Sequence, residues 1–268
     1  MGQNEPAGLS AKLYDKHYYD KSLPGLEYLE RDVIDLAAED TVYFGAIKEG
    51  LKILDVGCGR GTLAIELAKR GAFATGVDFS EHAVNFAKNL LSRFPKNIQN
   101  RVQFRQLTIS ELNFHREFDV IVFNQVYEHL HDHELIHFLR KFKEALKPTG
   151  RLVISTPNLD YVRYLYPIKR IVDFPLKLIK EPLRVLRGRS KHTSSATAFF
   201  KEMFKIRYPE SEHTRLHINL QTPASIKKFL EQNGFSVRVE CVDRHKNLIS
   251  RLMRRVWGET IWAVCTLS

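Results

Sequence analysis

The sequence predicts an α/β fold in which helices cover both faces of a seven-stranded, mainly parallel sheet. An apolar run that ends at Asp55 is followed at once by a glycine-rich turn and a helical pattern, which is the order of a strand, a turn and a helix. Apolar runs and helical patterns then alternate along the chain, and this alternation implies right-handed crossovers between parallel strands. The 268 residues are 44% hydrophobic and 27% charged, which is enough for one such core.

Each predicted element follows from its local pattern. The strands are predicted over 51–55, 73–79, 102–107, 118–124, 151–156, 235–242 and 260–266. The helices are predicted over 26–48, 62–70, 81–94, 133–146 and 222–233, with a turn over 147–150. Ser80 can cap the helix over 81–94, and Gly234 can close the helix over 222–233.

The segment 159–211 interrupts this alternation and is too long for an ordinary connection, so we predict a helical insertion after the fifth strand. Within 160–192, bulky apolar residues are interleaved with nine cations and only three acids. This pattern is typical of an element that lies on an anionic membrane surface. A lid over the substrate pocket and a helical hairpin packed on the core are the alternatives. A further basic stretch, 244–255, could widen the same face.

The net charge, the cysteines and the lengths of the apolar runs restrict the partners and the compartment that we expect for the protein. The net charge of +10 favours polyanionic partners without choosing among them. The cysteines, Cys58, Cys241 and Cys265, are too scattered for a disulfide framework or a zinc pattern. The first residues lack the pattern of a secretion signal, and no apolar run approaches the roughly 20 residues that span a bilayer. We therefore expect a cytoplasmic protein, with any membrane contact peripheral; nothing in the sequence indicates an oligomeric state.

The glycine turn indicates a ligand that lies against the backbone. Glycine at 57, 59 and 61 leaves no Cβ atoms in the way and permits positive φ angles. A dinucleotide site also uses a glycine turn and a later acid, but its fingerprint needs glycine at position 62, where this chain has Thr62. A glycine turn without a ligand is the remaining alternative.

The spacing of Asp55 and these glycines resembles motif I of the class I S-adenosylmethionine-dependent methyltransferases, and Val77-Asp78-Phe79-Ser80 resembles their ribose-binding motif. The resemblance implies a Rossmann-like fold, an N-terminal cap over 1–50, a methyltransferase domain over 51–268, an antiparallel edge formed by the last two strands, and S-adenosylmethionine as the cofactor. It also implies that Asp78 binds the ribose and Phe79 lies against the adenine. The residues assigned to the methionine portion are Asp55, Gly57, Cys58, Gly59 and Gly61.

Recognition of the adenine amino group departs from the family pattern. The family usually has an acidic residue after the third strand, and this chain has Thr108 there. The Thr108 hydroxyl could replace the acid more weakly, or Glu111 could reach in. Asn124, at the end of the fourth strand, is also assigned to the cofactor site.

Two histidine-bearing stretches point to the acceptor. The run 124–131, which contains Glu128 and His129, resembles the Glu-His-Leu stretch of the ubiquinone-biosynthesis O-methyltransferases, and the run 212–219 with His217 resembles a second stretch of that subgroup. Imidazole, with an ordinary pKa of about 6.5, suits a general base. We predict His129 and His217 as catalytic residues that act on an oxygen of a small, amphipathic or lipid-linked acceptor. Alternatively, Glu128 and His129 only tie the loop to the core, and His217 is a packing or capping residue.

An RNA substrate is the main rival. The run 125–129 also resembles that of the small-RNA 2′-O-methyltransferases, which hold a divalent metal with two glutamates and two histidines, but Gln125 replaces the first glutamate. His131, His133 and His137 belong to the start and exposed face of the next helix pattern. The sequence therefore predicts no metal, turnover indifferent to chelators, and no nucleic-acid partner. A catalytically silent binding module is a further alternative, which the intact glycine and aspartate set disfavours.

Overall fold

A computed structural model describes residues 36–168, 216–242 and 258–268. Three predicted segments lie outside these ranges: the cap before residue 36, most of the insertion and the basic stretch 244–255.

The described strands form one seven-stranded sheet, as the sequence predicts, and their order is β3-β2-β1-β4-β5-β7-β6. The first five strands are parallel, and β7 runs antiparallel to both of its neighbours. The strands are β1 (Lys52–Val56), β2 (Phe73–Asp78), β3 (Val102–Gln106), β4 (Phe118–Asn124), β5 (Leu146–Pro157), β6 (Phe235–Val242) and β7 (Thr260–Leu267).

The described helices connect these strands. They are α1 (Leu36–Gly45), α2 (Thr62–Lys69), α3 (Glu81–Leu91), α4 (Lys96–Gln99), α5 (Asp132–Ala145) and α6 (Pro223–Gln232). Short 3₁₀ helices occur at Ile109–Glu111 and Tyr127–His129, and a π-helical turn occurs at Tyr161–Leu165. The Ser80 side chain accepts from the amide of Ala83 at 3.3 Å, which confirms the predicted cap of α3.

The predicted turn at 147–150 is wrong in one respect, because these residues belong to β5. The strand begins at Leu146, opposite Phe118, but Val120 lies opposite Arg151. Two steps along β4 therefore correspond to five along β5, and the extra residues are accommodated at this irregularity. The residues that predicted a turn thus form an irregularity within a strand. The short helix α4 was not predicted from the sequence.

Alternate residues of the central strands face opposite layers. Ile53 packs with Phe44 of α1 and Leu67 of α2, whereas its neighbour Leu54 packs with the layer of α5 and α6. The ring of Phe44 stacks on Trp262 of β7, with centroids 5.0 Å apart. The two apolar layers hold the carboxyl ends of the parallel strands at one common edge. No helix within the described residues is long and apolar enough to cross a membrane.

The two flanks of the insertion meet where it leaves and rejoins the core. Asn158 and Gln221 form an isolated parallel bridge, and the amide of Leu159 donates to the carbonyl of Gln221 at 2.9 Å. The Asn158 side chain also donates to the Gly258 carbonyl at 2.9 Å. The chain returns after the insertion to the end of β5, and this return places residues 216–221 beside the loop that follows β4.

Candidate active site

The glycine turn joins β1 to α2 at the carboxyl edge of the sheet. The amides of Gly57 and Cys58 donate to the Val77 carbonyl at 2.8 and 3.0 Å, so the turn is fastened to β2. Gly57, Gly59 and Gly61 all have positive φ angles, between 51° and 74°. Side chains other than glycine rarely adopt this conformation, which explains the spacing of the motif.

Packing also requires glycine at two of these positions. A Cβ atom at Gly57 would lie 2.6 Å from Cγ2 of Val126, and one at Gly61 would lie 2.4 Å from the Phe104 ring. The sequence analysis explained these glycines by the approach of a ligand and by their φ angles. It did not predict that Val126 and Phe104 lie against them. The contact of Gly57 with Val126 matters for function, because it places the loop after β4 directly over the glycine turn.

Asp78 is the last residue of β2, and its carboxylate faces the glycine turn. One oxygen accepts from the amide of Gly59 at 3.0 Å, and the other accepts from the amide of Ser80 at 2.9 Å. The side chain is buried, and these bonds fix its orientation. Carboxylate oxygens have about four acceptor sites in total, so a fixed Asp78 can also accept bonds from a ribose.

Asp55 is the second buried carboxylate of this region. Its Oδ2 atom has no hydrogen-bond partner among the described residues. Burial, with a smaller contribution from the nearby Asp78 carboxylate, raises the pKa of Asp55 to about 7. Burial also raises the pKa of the Cys58 thiol, so Cys58 contributes no thiolate. A buried acceptor of this kind fits a ligand that brings a cation or a hydrogen-bond donor, and S-adenosylmethionine carries an ammonium and a sulfonium group.

The candidates for adenine recognition lie at the ends of β2 and β3. Phe79, the predicted contact of the adenine, is 39% exposed. Thr108 and Glu111 bond to each other: the amide and the hydroxyl of Thr108 donate to Oε2 of Glu111 at 2.7 and 2.6 Å. These bonds lower the pKa of Glu111. The two alternatives of the sequence analysis therefore form one unit.

A polar network follows β4. The Ser155 hydroxyl donates to the side-chain oxygen of Asn124, and the side-chain amide of Gln125 donates to the Ser155 hydroxyl at 3.3 Å. The backbone amide of Gln125 donates to the Ser155 carbonyl at 2.9 Å, and Gln125 has a φ angle of 55°. Gln125 is thus held toward β5 in a conformation that non-glycine residues rarely adopt, a feature often found at functional sites.

His129 and His217 come together in the structure. His129 lies in the short 3₁₀ helix after β4, and the centroids of the two rings are 5.0 Å apart with their planes at 71°. Nδ1 of His129 bonds to the Leu216 carbonyl at 3.1 Å. Because a carbonyl oxygen only accepts, Nδ1 carries a proton, and in the neutral imidazole Nε2 then carries the lone pair.

Backbone bonds clamp the segment that carries His217 against this loop. The amides of Ile218 and Asn219 both donate to the Glu128 carbonyl, at 2.9 and 3.0 Å. The Asn219 side chain donates to the Leu130 carbonyl at 3.0 Å and to the Asp132 carboxylate at 2.9 Å. The position of His217 is therefore set by five hydrogen bonds if that from His129 to Leu216 is included.

Glu128 is a residue to which the sequence analysis assigned no catalytic role, and its alternative there was to tie the loop to the core. Its side chain is fully buried; Oε2 accepts from the Thr156 hydroxyl at 3.1 Å, while Oε1 has no hydrogen-bond partner among the described residues. Burial raises the pKa of Glu128 to about 8. Donor atoms of Glu128, His129 and His217 all lie within 4.8 Å of one another. The adjacency of Glu128 and His129 was visible in the sequence, but their burial beside His217 was not.

A second depression lies at the opposite edge of the sheet. This cleft, of about 290 Å³, is lined by residues from the starts of β1 to β4, such as Lys52, Phe73 and Arg101. None of the glycine, aspartate or histidine residues described above belongs to its lining. Ligands of open α/β sheets bind outside the carboxyl ends of the strands, so the site is at the edge that carries Asp78 and His129.

The fold and the glycine turn with its two aspartates define an S-adenosylmethionine-dependent methyltransferase. A family model described as "Methyltransferase domain" matches residues 27–240, and the chain belongs to this family. The cofactor of the class is S-adenosylmethionine, as the sequence predicts. A solved S-adenosylmethionine-dependent methyltransferase from Aquifex aeolicus has the same fold, with a TM-score of 0.57, 17% identity, and coverage of 95% of this chain and 99% of that one.

Among curated proteins, the chain is similar to two enzymes named ubiquinone biosynthesis O-methyltransferase. The one from Coxiella burnetii is 36% identical over 120 residues, which are 45% of this chain and 49% of that protein. The one from Acinetobacter baumannii strain AYE is 33% identical over 162 residues, which are 60% of this chain and 63% of that protein. The matched region thus spans between about half and three fifths of the length of these relatives.

Proposed function

We propose that this protein transfers a methyl group from S-adenosylmethionine to an oxygen atom of a small, amphipathic or lipid-linked acceptor. The observation that carries the proposal is the pair of imidazoles, His129 and His217, held beside the glycine turn by the Val126 contact and by the bonds to residues 216–219. The names of the curated relatives support oxygen as the methylated atom and a lipid-linked ring as the acceptor class.

The reaction divides naturally between the two parts of the site. Asp78, and Asp55 with the glycine turn, bind and orient the cofactor, which supplies the methyl group. The acceptor hydroxyl approaches His129, and Nε2 takes its proton as the oxygen attacks the methyl carbon and the carbon–sulfur bond breaks. The sulfur leaves as a neutral thioether and the oxygen becomes an ether. The protein mainly aligns the two reactants and excludes water, as such displacements require.

The start of the insertion supports an amphipathic acceptor. Tyr164 and Ile168, in the described first part of the insertion, are 61% and 53% exposed. The following sequence continues the mixture of apolar residues and cations up to residue 192. We propose that this segment contacts an anionic membrane surface from which the acceptor is taken.

The acceptor class is tested with labelled cofactor and three substrates: a catechol that carries a prenyl tail, the same catechol without the tail, and a short RNA. We expect an O-methyl ether on the tailed catechol, less on the tail-free compound, and none on RNA, with the methylated atom assigned by nuclear magnetic resonance. Methylation of RNA alone, or of a nitrogen atom, would contradict the proposal.

The membrane contact is tested by sedimentation with vesicles. Wild-type protein should bind vesicles that contain anionic lipid and release them as salt rises, because each cation near such a surface contributes about 1 kcal/mol. Changing Lys177, Lys180, Arg184 and Arg187 together to Gln should remove most of this binding. A matched variant that changes cations of the described core, Lys227 and Lys228, should bind normally. Wild-type protein that ignores anionic vesicles at low salt would leave the lid or the hairpin as the role of the insertion.

A further inference from the structure

We propose that Gln125 is a specificity-determining residue of the acceptor site. Its side-chain oxygen accepts a hydrogen bond from a second hydroxyl on the acceptor ring, while the first hydroxyl is methylated. The inference rests on the proposed function, because it concerns the same acceptor at the same site. The sequence indicated only that Gln125 cannot supply an anionic ligand.

The main chain of Gln125 is held in a conformation that needs support. Its φ angle is 55°, in the left-handed region that residues other than glycine rarely adopt. The backbone amide donates to the Ser155 carbonyl at 2.9 Å, and the side-chain amide donates to the Ser155 hydroxyl at 3.3 Å. Both parts of Gln125 are therefore fixed to one residue of β5, and a side chain oriented in advance loses less freedom when a ligand binds.

The bonds of Ser155 decide which end of the Gln125 amide faces away from the sheet. The Ser155 hydroxyl has one proton, which it donates to the side-chain oxygen of Asn124. Its oxygen can then only accept, so the NH₂ group of Gln125 faces Ser155. Oε1 of Gln125 points away from Ser155, makes no hydrogen bond within the described residues and belongs to a half-buried side chain. The loop thus presents a fixed hydrogen-bond acceptor.

The two polar groups of the loop after β4 lie on different sides of the sheet. Ser155 pairs with Trp262, which packs in the layer of α1, whereas Thr156 pairs with Ile261, which packs in the layer of α5 and α6. Gln125 bonds on the Ser155 side, and the buried acid before His129 bonds on the Thr156 side. A ring placed over the ends of β4 and β5 lies between the two sides.

One ring is large enough to reach both Gln125 and His129. The amide of His129 donates to the carbonyl of Val126, the residue after Gln125, at 3.0 Å. The Cα atoms of Gln125 and His129 are therefore at most about 11 Å apart. Because both side chains extend from this short loop, a six-membered ring can place one hydroxyl at the imidazole and another at the amide oxygen.

The chemistry of Oε1 selects the kind of group that binds there. An amide oxygen is uncharged and only accepts hydrogen bonds, so its partner must be a donor. A hydroxyl meets this requirement, whereas a hydrogen atom or a methoxy group at the same ring position leaves the oxygen unpaired. Sites built to bond a substrate hydroxyl discriminate strongly against analogues that lack it.

The experiment measures acceptor binding by calorimetry, with full-length protein loaded with S-adenosylhomocysteine so that no transfer occurs. The probes are the catechol with a prenyl tail and the two phenols in which one or the other hydroxyl is replaced by hydrogen. Wild-type protein should bind the catechol at least about tenfold more tightly than either phenol. In Gln125→Met, which keeps the length of the side chain without its amide, the preference over one phenol should fall to about twofold or less.

Two further variants make the result specific to the Gln125 amide. Gln125→Asn tolerates the positive φ angle but withdraws the oxygen, so it should lose the same preference. The matched control is Gln103→Met, because the Gln103 amide also donates to a hydroxyl, that of Thr75, at 2.9 Å. This control should bind all three probes like the wild type. Binding of S-adenosylhomocysteine by each variant shows that it is folded.

The proposal is overturned if the wild type binds the catechol no more tightly than the phenols, or if both Gln125 variants keep the preferences of the wild type. The proposed function fails separately. A preference for the catechol without any methyl transfer from labelled cofactor would strike the proposed reaction and keep the role of Gln125, whereas transfer without the preference would do the reverse.

Discussion

The proposed cofactor region, with the glycine turn, Asp55 and Asp78, and the proposed acceptor region, with His129 and His217, share one edge of the sheet. The chain assembles the two regions differently. The glycine turn, Asp55 and Asp78 come from a single strand–turn–helix–strand unit, and the bond from Gly59 to Asp78 joins residues only 19 positions apart. In the acceptor region, His129 and Leu216 are 87 positions apart. A short stretch of sequence specifies the first region, whereas the second exists only after the chain has returned from the insertion.

Both regions contain a buried acid, and the surroundings of these acids differ. Asp55 lies beside a second carboxylate, Asp78, whose two oxygens accept backbone amides. Glu128 accepts a single hydroxyl from Thr156 and lies beside two imidazoles. The first surroundings fit a cofactor that brings its own positive charge. The second fit a proton transfer.

The largest expected effect is a loss of turnover in a His129 variant that still binds the cofactor. His129→Ala should lower turnover by about a hundred- to ten-thousandfold, because a positioned base contributes that much. Affinity for S-adenosylmethionine, measured by calorimetry, should stay unchanged. The exposed neighbour His133 provides the control, and His133→Ala should be fully active. Normal turnover of the His129 variant would return this residue to a structural role.

The corresponding change in the cofactor region is Asp78→Ala. Loss of a hydrogen bond to a charged group costs about 1.5–3 kcal/mol, so S-adenosylmethionine should bind at least about tenfold more weakly. The bonds to the Gly59 and Ser80 amides are lost as well, and circular dichroism must show that the fold survives. Glu81→Ala, in the exposed first turn of α3, should bind normally. Unchanged affinity in a folded Asp78 variant would remove the assigned ribose contact.

Gly57→Ala tests whether the two regions are coupled. The added Cβ atom would lie 2.6 Å from Val126, and the φ angle of 72° strains any other residue. We expect a loss of stability of about 1–3 kcal/mol, with turnover reduced even at saturating cofactor. Gly50→Ala carries a similar φ strain but meets nothing within 4 Å, so it should lose stability alone. Adding Val126→Ala should restore part of the lost turnover; no recovery would mean that the loop and the turn act independently.

The smallest expected effect concerns the stability of the cofactor-free protein. The pKa of Asp55 is about 7 in the folded state, above its ordinary value of 3.8, so the unfolded chain releases this proton first as pH rises. Asp55 thus lowers stability progressively between about pH 4 and pH 7, and the full cost remains above pH 7. Asp55→Asn should be more stable than the wild type at pH 8, on the order of 2 kcal/mol, with a smaller difference at pH 5.

Asp119 provides a control in which the expected change in stability has the opposite sign. Its partial burial is outweighed by bonds from the Lys147 ammonium and the Lys52 amide, which lower its pKa. Neutralising it as Asp119→Asn should therefore destabilise the protein at pH 8. Urea unfolding at pH 5 and pH 8 compares the two variants. An Asp55 variant that gains nothing at pH 8 would contradict the assigned burial cost.

The prediction of the sheet from sequence was accurate wherever local pattern decides structure. The bounds of β4 and β6 agree with the predicted ranges, since the apolar run of β4 and the apolar alternation of β6 are properties of neighbouring residues. The predicted turn at 147–150 became an irregularity within β5, because Leu146 and Arg151 on either side of it pair with β4. The cleft at the opposite edge and the contact of Gly57 with Val126 depend on distant partners, and sequence patterns carry no signal for such partners. The bonds between Thr108 and Glu111 are different, because these residues are three positions apart and form a capping box, which has a sequence pattern of its own.

By itself the sequence determined the fold class and the residues of the glycine turn, because the requirements for positive φ, close approach and a terminal carboxylate act over a few neighbouring positions. The cofactor followed from the resemblance of this turn to the methyltransferase motif. It also singled out His129 and His217, but only as separate candidates. Tertiary structure alone decided that their rings meet, that Glu128 is buried between the same segments, and that Gln125 bonds to Ser155. Each of these contacts joins strands or loops far apart in the chain, and their distances are set by the packing of the whole sheet.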